Sequence, residues 1–218
     1  MLGYRIGMTP EIRRRLPGVG LAAAAAVAGF AVVVAFTAAA GPTEIERPAG
    51  TAPALTVPGL DGALVSPLAP AEGVEATVLL FVMTDCPISN RYAPEVRRLH
   101  DEFAGAVRFW LVYVDAQRPA GELREHRDSF GYPFRGLRDV DGALAALAGA
   151  TVTPEAAVFD AAQRMIYRGR IDDRYVAFGV ARRAPRTRDL QDRLRRLVAG
   201  ETLAFSKTRA VGCYIPGA

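Results

Sequence analysis

The chain has 218 residues, half of them apolar and 23% charged, with a formal net charge of +4. That length and apolar content suffice for one sizeable buried core plus an extra element. The charge argues against nucleic-acid binding: Arg5, Arg13, Arg14 and Arg15 against Glu11 put a net +3 into residues 1–40, leaving +1 elsewhere, and Lys207 is the single lysine.

Residues 16–43 carry no charge, and the run from Val19 to Phe36 is long enough to cross a bilayer as a helix. Arg13-Arg14-Arg15 immediately precedes it, so residues 1–15 are expected to be cytoplasmic, 16–41 to form a transmembrane anchor, and the remainder to be exported. Ala38-Ala39-Ala40 offers a cleavage site, which leaves a signal peptide as the alternative. Either way the domain is expected in a compartment where disulfides persist. Pro42, Pro48, Gly50 and Pro53 among charged residues make 42–53 a tether.

A domain is expected over 54–200. Residues 55–57 and 63–65 flank the turn-rich Pro58-Gly-Leu-Asp-Gly62, a small hairpin. The apolar run 77–83 is a buried strand, followed by a helix in which Val96, Leu99 and Phe103 share one face and Pro94 introduces a kink. Residues 107–114 form a second long strand ended by Asp115, and 120–130 and 141–149 form helices. Strands at 156–159 and 165–167 enclose the turn Asp160-Ala-Ala-Gln163. Leu190, Leu194, Leu197 and Val198 mark a last helix with Thr187 as N-cap and Gly200 as its close. The order β-α-β-α-β-β-α implies an α/β fold, with a central mixed sheet flanked by helices and a parallel pair joined by a right-handed crossover.

Between the first long strand and its helix lies Thr84-Asp85-Cys86-Pro87-Ile88-Ser89-Asn90. A thiol there faces unpaired backbone N–H groups and the positive end of the helix dipole, both of which favour the thiolate. Cys86 is therefore a candidate nucleophile, and Pro87 suits the first helical turn because it has no N–H to lose. The alternative is a small buried hydrophobe. Cys213 stands in Val211-Gly-Cys-Tyr-Ile-Pro216 on a tail, 201–218, to which polar Ser206 to Arg209 and Gly212 would lend mobility. It is the one other thiol in the chain and hence the candidate resolving residue. An oxidising compartment favours a Cys86–Cys213 disulfide, although spacing alone does not require it.

The element order, Cys86 after the first long strand, Pro94 eight positions later and Thr153-Pro154 before the hairpin together resemble the thioredoxin fold. The resemblance covers about residues 54–200 and is strongest to the redoxin group that includes alkyl hydroperoxide reductase and thiol-specific antioxidant proteins. Tyr167-Arg-Gly-Arg-Ile-Asp-Asp173 resembles a strand-end motif of redoxin-like membrane proteins. The resemblance implies a cis-proline loop at Thr153-Pro154 that pairs with partner peptides, and a binding surface of Thr84, Asp85, Pro87, Ser89, Thr153 and Pro154. No cofactor is implied; the implied partners are protein thiols or disulfides of the cell envelope. Two departures stand out. Ser89 replaces the second cysteine of Cys-x-x-Cys, and Leu79 and Met83 stand where peroxiredoxins have the Pro and Thr of Pro-x-x-x-Thr-x-x-Cys.

Three functions follow: a membrane-tethered thiol-disulfide oxidoreductase, a thiol peroxidase with the same nucleophile, and a non-catalytic binding module. A metal site is not expected, since His100 and His126 fall on charged, solvated helices without paired ligand spacing. Asp172-Asp173-Arg174 is either a polar cluster near the thiol or a solvated turn. The arginines from Arg182 to Arg196 are a solvated face that could meet anionic lipid.

Overall fold

The computed structural model describes residues 55–217; the expected cytoplasmic segment, anchor and tether at 1–53 lie outside the described residues. Among the described residues no helix is long and apolar enough to cross a membrane. The elements are β1 (Val57–Pro58), β2 (Leu64–Val65), β3 (Ala76–Val82), α1 (Pro87–Glu102), β4 (Val107–Tyr113), α2 (Ala120–Ser129), β5 (Gly136–Arg138) and α3 (Ala143–Ala148). There follow β6 (Val152–Thr153), β7 (Glu155–Asp160), β8 (Met165–Gly169), β9 (Tyr175–Ala177), β10 (Val180–Ala181), α4 (Asp189–Val198), β11 (Ser206–Lys207) and β12 (Cys213–Tyr214).

Six strands form the central sheet in the order β11-β8-β7-β3-β4-β5. β3 runs parallel to β4 and antiparallel to β7, so the expected mixed sheet and parallel crossover are both present. Every residue of β3 is buried because both faces of the sheet are covered. Val78, Leu80 and Val82 join Val96 and Leu99 of α1 and Leu190 and Leu194 of α4 on one face. Leu79 and Phe81 join Trp110 and Val112 of β4 and Leu144 and Ala148 of α3 on the other. The period-2 alternation of a strand thus divides one apolar run between two cores. Pairs such as Arg188–Glu95 at 2.6 Å and Arg195–Glu102 at 2.7 Å tie α4 to α1 along their solvent edge.

Several expectations need correction. Thr187 does not cap α4: Arg188 holds the N-cap position without a side-chain bond, and Thr187 Oγ1 donates to Asp189 instead. His126 is buried rather than solvated, because α2 turns Leu123 and His126 toward the core. The segment after α4 is not loose. β11 pairs in parallel with β8, and Thr208 N donates to Arg168 O, while β12 pairs antiparallel with β6. Gly169 permits the first attachment, since at φ +147 a Cβ there would meet Thr208 Oγ1 at 2.2 Å.

Candidate active site

Cys86 is the N-cap of α1, with extended backbone (φ −81, ψ 106) and Pro87 at the first helical position. Its carbonyl accepts the first helical bond from Asn90 N at 3.1 Å, and its sulfur accepts from Ser89 N at 3.5 Å. The sulfur therefore takes the place that a Ser or Asp oxygen occupies in an ordinary cap. No acidic residue stands in the first turn, so the positive end of the helix is directed at the thiol alone.

The second wall of the site is the loop at Thr153-Pro154, whose peptide bond is cis as the resemblance implied. The Cys86 thiol donates to Thr153 O at 3.1 Å. Opposite Thr153, in β-register, lies Cys213 of β12, so the loop and the segment after α4 bring the two thiols together. Both cysteines are free thiols. Burial pushes the Cys86 thiol up, yet the neighbouring Cys213, Ser89 and Thr153 side chains and the Ser89 N–H outweigh it, and its pKa falls below the ordinary value. Ser89 Oγ and Thr153 Oγ1 are buried near the sulfur and make no hydrogen bond in this arrangement. Cys213 moves the other way, pushed up to about 12 by burial, by its bond to Cys86 and the negative charge there, and by Asp85. Of the two thiols, Cys86 is thus the one that ionises first.

The remaining expected surface residues divide by exposure. Asp85 and Pro87 are exposed beside the thiol, and Arg118 reaches Asp85 at 3.6 Å. Thr84 is half-buried, donating through N at 2.9 Å and Oγ1 at 2.6 Å to Asp115, which β4 places at its carboxyl end. Ser89, Thr153 and Pro154 are buried and form the floor. Leu79 lies in the second core cluster and Met83 in the first, where neither offers a hydroxyl.

A polar relay behind the loop escaped sequence reasoning. Asn90 Nδ2 donates to Thr84 O at 2.9 Å, His126 Nε2 bonds Asn90 Oδ1 at 2.9 Å, and Tyr113 OH bonds His126 Nδ1 at 2.9 Å. An amide oxygen can only accept, so Nε2 carries the proton and Nδ1 accepts from the tyrosine. Burial lowers the His126 pKa, partly offset by Asp115, which favours that neutral ring. Asp115 was visible as the polar stop of an apolar strand, the position where α/β sheets place their sites. His126 had no such signal.

Asp172-Asp173-Arg174 is neither a solvated turn nor bonded to the thiol. Asp172 is buried and accepts from Tyr92 OH at 2.5 Å and Arg174 N at 2.9 Å, while Asp173 accepts from the N–H groups of Arg186 and Thr187. These carboxylates fasten the loop before α4 to α1. Among the described residues no three His, Cys, Asp or Glu side chains gather as a metal site.

Solved structures share this architecture. An uncharacterized conserved protein from Geobacillus kaustophilus is 24% identical, covering 78% of this chain and 93% of its own, with a TM-score of 0.64. A hypothetical protein from Sinorhizobium meliloti is 20% identical over 74% of this chain and 89% of its own, with a TM-score of 0.58. A putative thioredoxin from Neisseria meningitidis is 21% identical over 69% and 91%, with a TM-score of 0.53. These likenesses establish a thioredoxin-like α/β fold. No curated protein matches the chain significantly. The AhpC/TSA family model matches residues 48–168, more than half of the sequence and including both Cys86 and the cis-proline loop, and so the chain belongs to the AhpC/TSA family.

Proposed function

We propose that this protein is a membrane-tethered, extracytoplasmic thiol-disulfide oxidoreductase with Cys86 as nucleophile and Cys213 as resolving thiol. The observation that carries the reading is the contact between the two thiols across Thr153, with one pKa lowered and the other raised. The Cys86 thiolate attacks one sulfur of a partner disulfide. A Cys86–partner bond forms, and the other partner sulfur leaves as a thiolate. The charge on Cys86 is then gone, and with it the bond and repulsion that help keep the Cys213 proton in place. Cys213 gives up that proton and attacks Cys86 Sγ; the mixed disulfide breaks and the second partner sulfur departs, taking the proton. The partner gains two electrons, and Cys86–Cys213 becomes a disulfide that an external dithiol must reduce. Ser89, Thr153 and the start of α1 hold the thiolate, while Asp85 and Pro87 border its approach.

Membership of the AhpC/TSA family favours a second reading, thiol peroxidase. There Cys86 would take the terminal oxygen of a hydroperoxide as a sulfenic acid, releasing alcohol or water, and Cys213 would condense with it, releasing water. Apolar Leu79 and Met83 argue against it, since neither can donate a hydrogen bond to a peroxide. Turnover of hydrogen peroxide against reduction of a protein disulfide by the purified protein separates the two. If wild type turns over neither while Cys86→Ser still binds its partner, the chain is a binding module.

Peptide mapping under non-reducing conditions after diamide treatment tests the cysteine roles. A linked pair of peptides containing Cys86 and Cys213 is expected. Intermolecular Cys86 adducts alone, with turnover unchanged in Cys213→Ala, would make Cys86 a monothiol. The tether rests on the uncharged 16–43 behind three arginines, and retention in the pellet after alkaline carbonate extraction is the expected outcome. A soluble species starting near Gly41 would instead mark a cleaved signal.

A further inference from the structure

Cys86 has 0% of its surface exposed, so no partner sulfur can meet it in this arrangement. The cover includes β12, whose Cys213 and Tyr214 sit opposite Thr153 and Val152. Its hold on the domain is short: that two-residue ladder, the bond from Ile215 N to Thr151 O at 3.0 Å, the Ile215 side chain in the second core cluster, and Val211 and Cys213, half-buried against the first. Open space borders it on two sides. A cavity of about 1130 Å³ reaches from Arg118 and Asp141 to Ile215, and another of about 670 Å³ reaches from Phe178 and Lys207 to Gly212; Thr151 lines both. The strand thus bridges a trench, and its far attachment at Thr208 and β11 is independent of the bridge.

We propose that β12 is a displaceable strap that occupies the site of a partner segment, and that the segment replacing it is extended and has the order small residue, cysteine, any residue, aliphatic residue. The inference rests on Cys86 being the reacting thiol. Each position follows from what the strap itself needs. Gly212 passes so close to the loop that a Cβ there would lie 1.9 Å from Thr153 O. Cys213 is held in register with Thr153, whose carbonyl oxygen lies 3.1 Å from Cys86 Sγ. Tyr214 is 84% exposed and sets no requirement, whereas Ile215 is 7% exposed and fills an apolar site. A partner strand with a disulfide sulfur at the second position would present it to Cys86 as the strap presents Cys213. Return of the strap would then bring the resolving thiol.

The test is the rate of Cys86 alkylation by iodoacetamide in the reduced full-length protein, compared at the plateau of each pH profile so that pKa changes do not enter. Ile215→Ser is expected to raise the rate roughly ten- to a hundredfold, the range set by losing one buried aliphatic side chain. Gly212→Ala, which leaves the core intact, should raise it in the same direction, and Tyr214→Ala should leave it at the wild-type value. The peptide acetyl-Val-Gly-Ser-Tyr-Ile-Pro-amide should slow labelling of the Ile215→Ser protein, and the same peptide with aspartate for isoleucine should not. Wild-type rates in both Ile215→Ser and Gly212→Ala, with folding verified by circular dichroism, overturn the proposal, as does a peptide without effect. Alkylation involves no disulfide, so failure of Cys86 and Cys213 to link under diamide would remove the resolving role of Cys213 and leave the strap standing. Linkage with unchanged alkylation rates would do the reverse.

Discussion

Replacing Cys213 with alanine or with serine separates its two roles. Its hydrogen bond is the largest of the contributions that lower the Cys86 pKa. A hydrogen bond to a charged group contributes about 1.5–3 kcal/mol, and one pKa unit corresponds to about 1.4 kcal/mol, so removing the donor should raise the pKa by roughly one to two units. Water entering the space left by the side chain would restore part of the loss, which makes a rise of about one unit the expected result for Cys213→Ala. Serine keeps a donor, so Cys213→Ser should stay within a few tenths of a unit of wild type, roughly the size of one imperfectly placed neutral bond. The ultraviolet absorbance of the thiolate, followed against pH, gives each midpoint. Both variants should accumulate the Cys86–partner mixed disulfide, but below its raised midpoint Cys213→Ala should form it more slowly, because less of the thiol is ionised. An unshifted midpoint in Cys213→Ala, or an equal shift in both variants, would refute the assigned donor role.

The two cysteines should contribute opposite slopes of stability against pH on either side of pH 9.0. The lowered Cys86 pKa leaves the unfolded state with an extra proton below its own value of 9.0, so stability rises with pH through that window; between 9.0 and about 12 the folded state retains the Cys213 proton, and stability falls. Thermal melts from pH 7 to 10 should show this, and Cys213→Ser should flatten the descent just above pH 9, before the buried Tyr92, Tyr113, Tyr132 and Tyr167, whose pKa values are also raised, steepen it. Gly169→Ala should cost about 2–3 kcal/mol in urea unfolding, because its Cβ would meet Thr208 Oγ1 at 2.2 Å and Thr208 O at 2.4 Å at a φ of +147. Tyr92→Phe should cost about 1–3 kcal/mol by stranding buried Asp172, without moving the Cys86 midpoint; a shifted midpoint would mean that this pair does act on the thiol.

The sequence by itself determined the features that rest on local chemistry. The apolar runs became β3 and β4 because such runs pack on both faces of a sheet, and Cys86-Pro87 after β3 became a helix cap because proline suits the first turn and the sulfur can accept there. The cis peptide at Thr153-Pro154 followed from the family resemblance rather than from the residues. Short strands such as β5, β6, β11 and β12 left too few residues to display a period, and they exist because neighbouring backbone supplies partners. Only the tertiary structure decided that His126 is buried, that Asp172 and Asp173 fasten α4 to α1, and that Cys213 meets Cys86. In sequence the two thiols are separated by most of the domain, and the polar residues from Ser206 to Arg209 suggested freedom. That freedom is removed by contacts with chain far away in sequence: β8 takes up β11, Thr208 fills the space beside Gly169, and Gly212 lets the backbone close on Thr153. Such contacts carry no local periodicity, since what holds the segment is the surface it meets rather than its own composition.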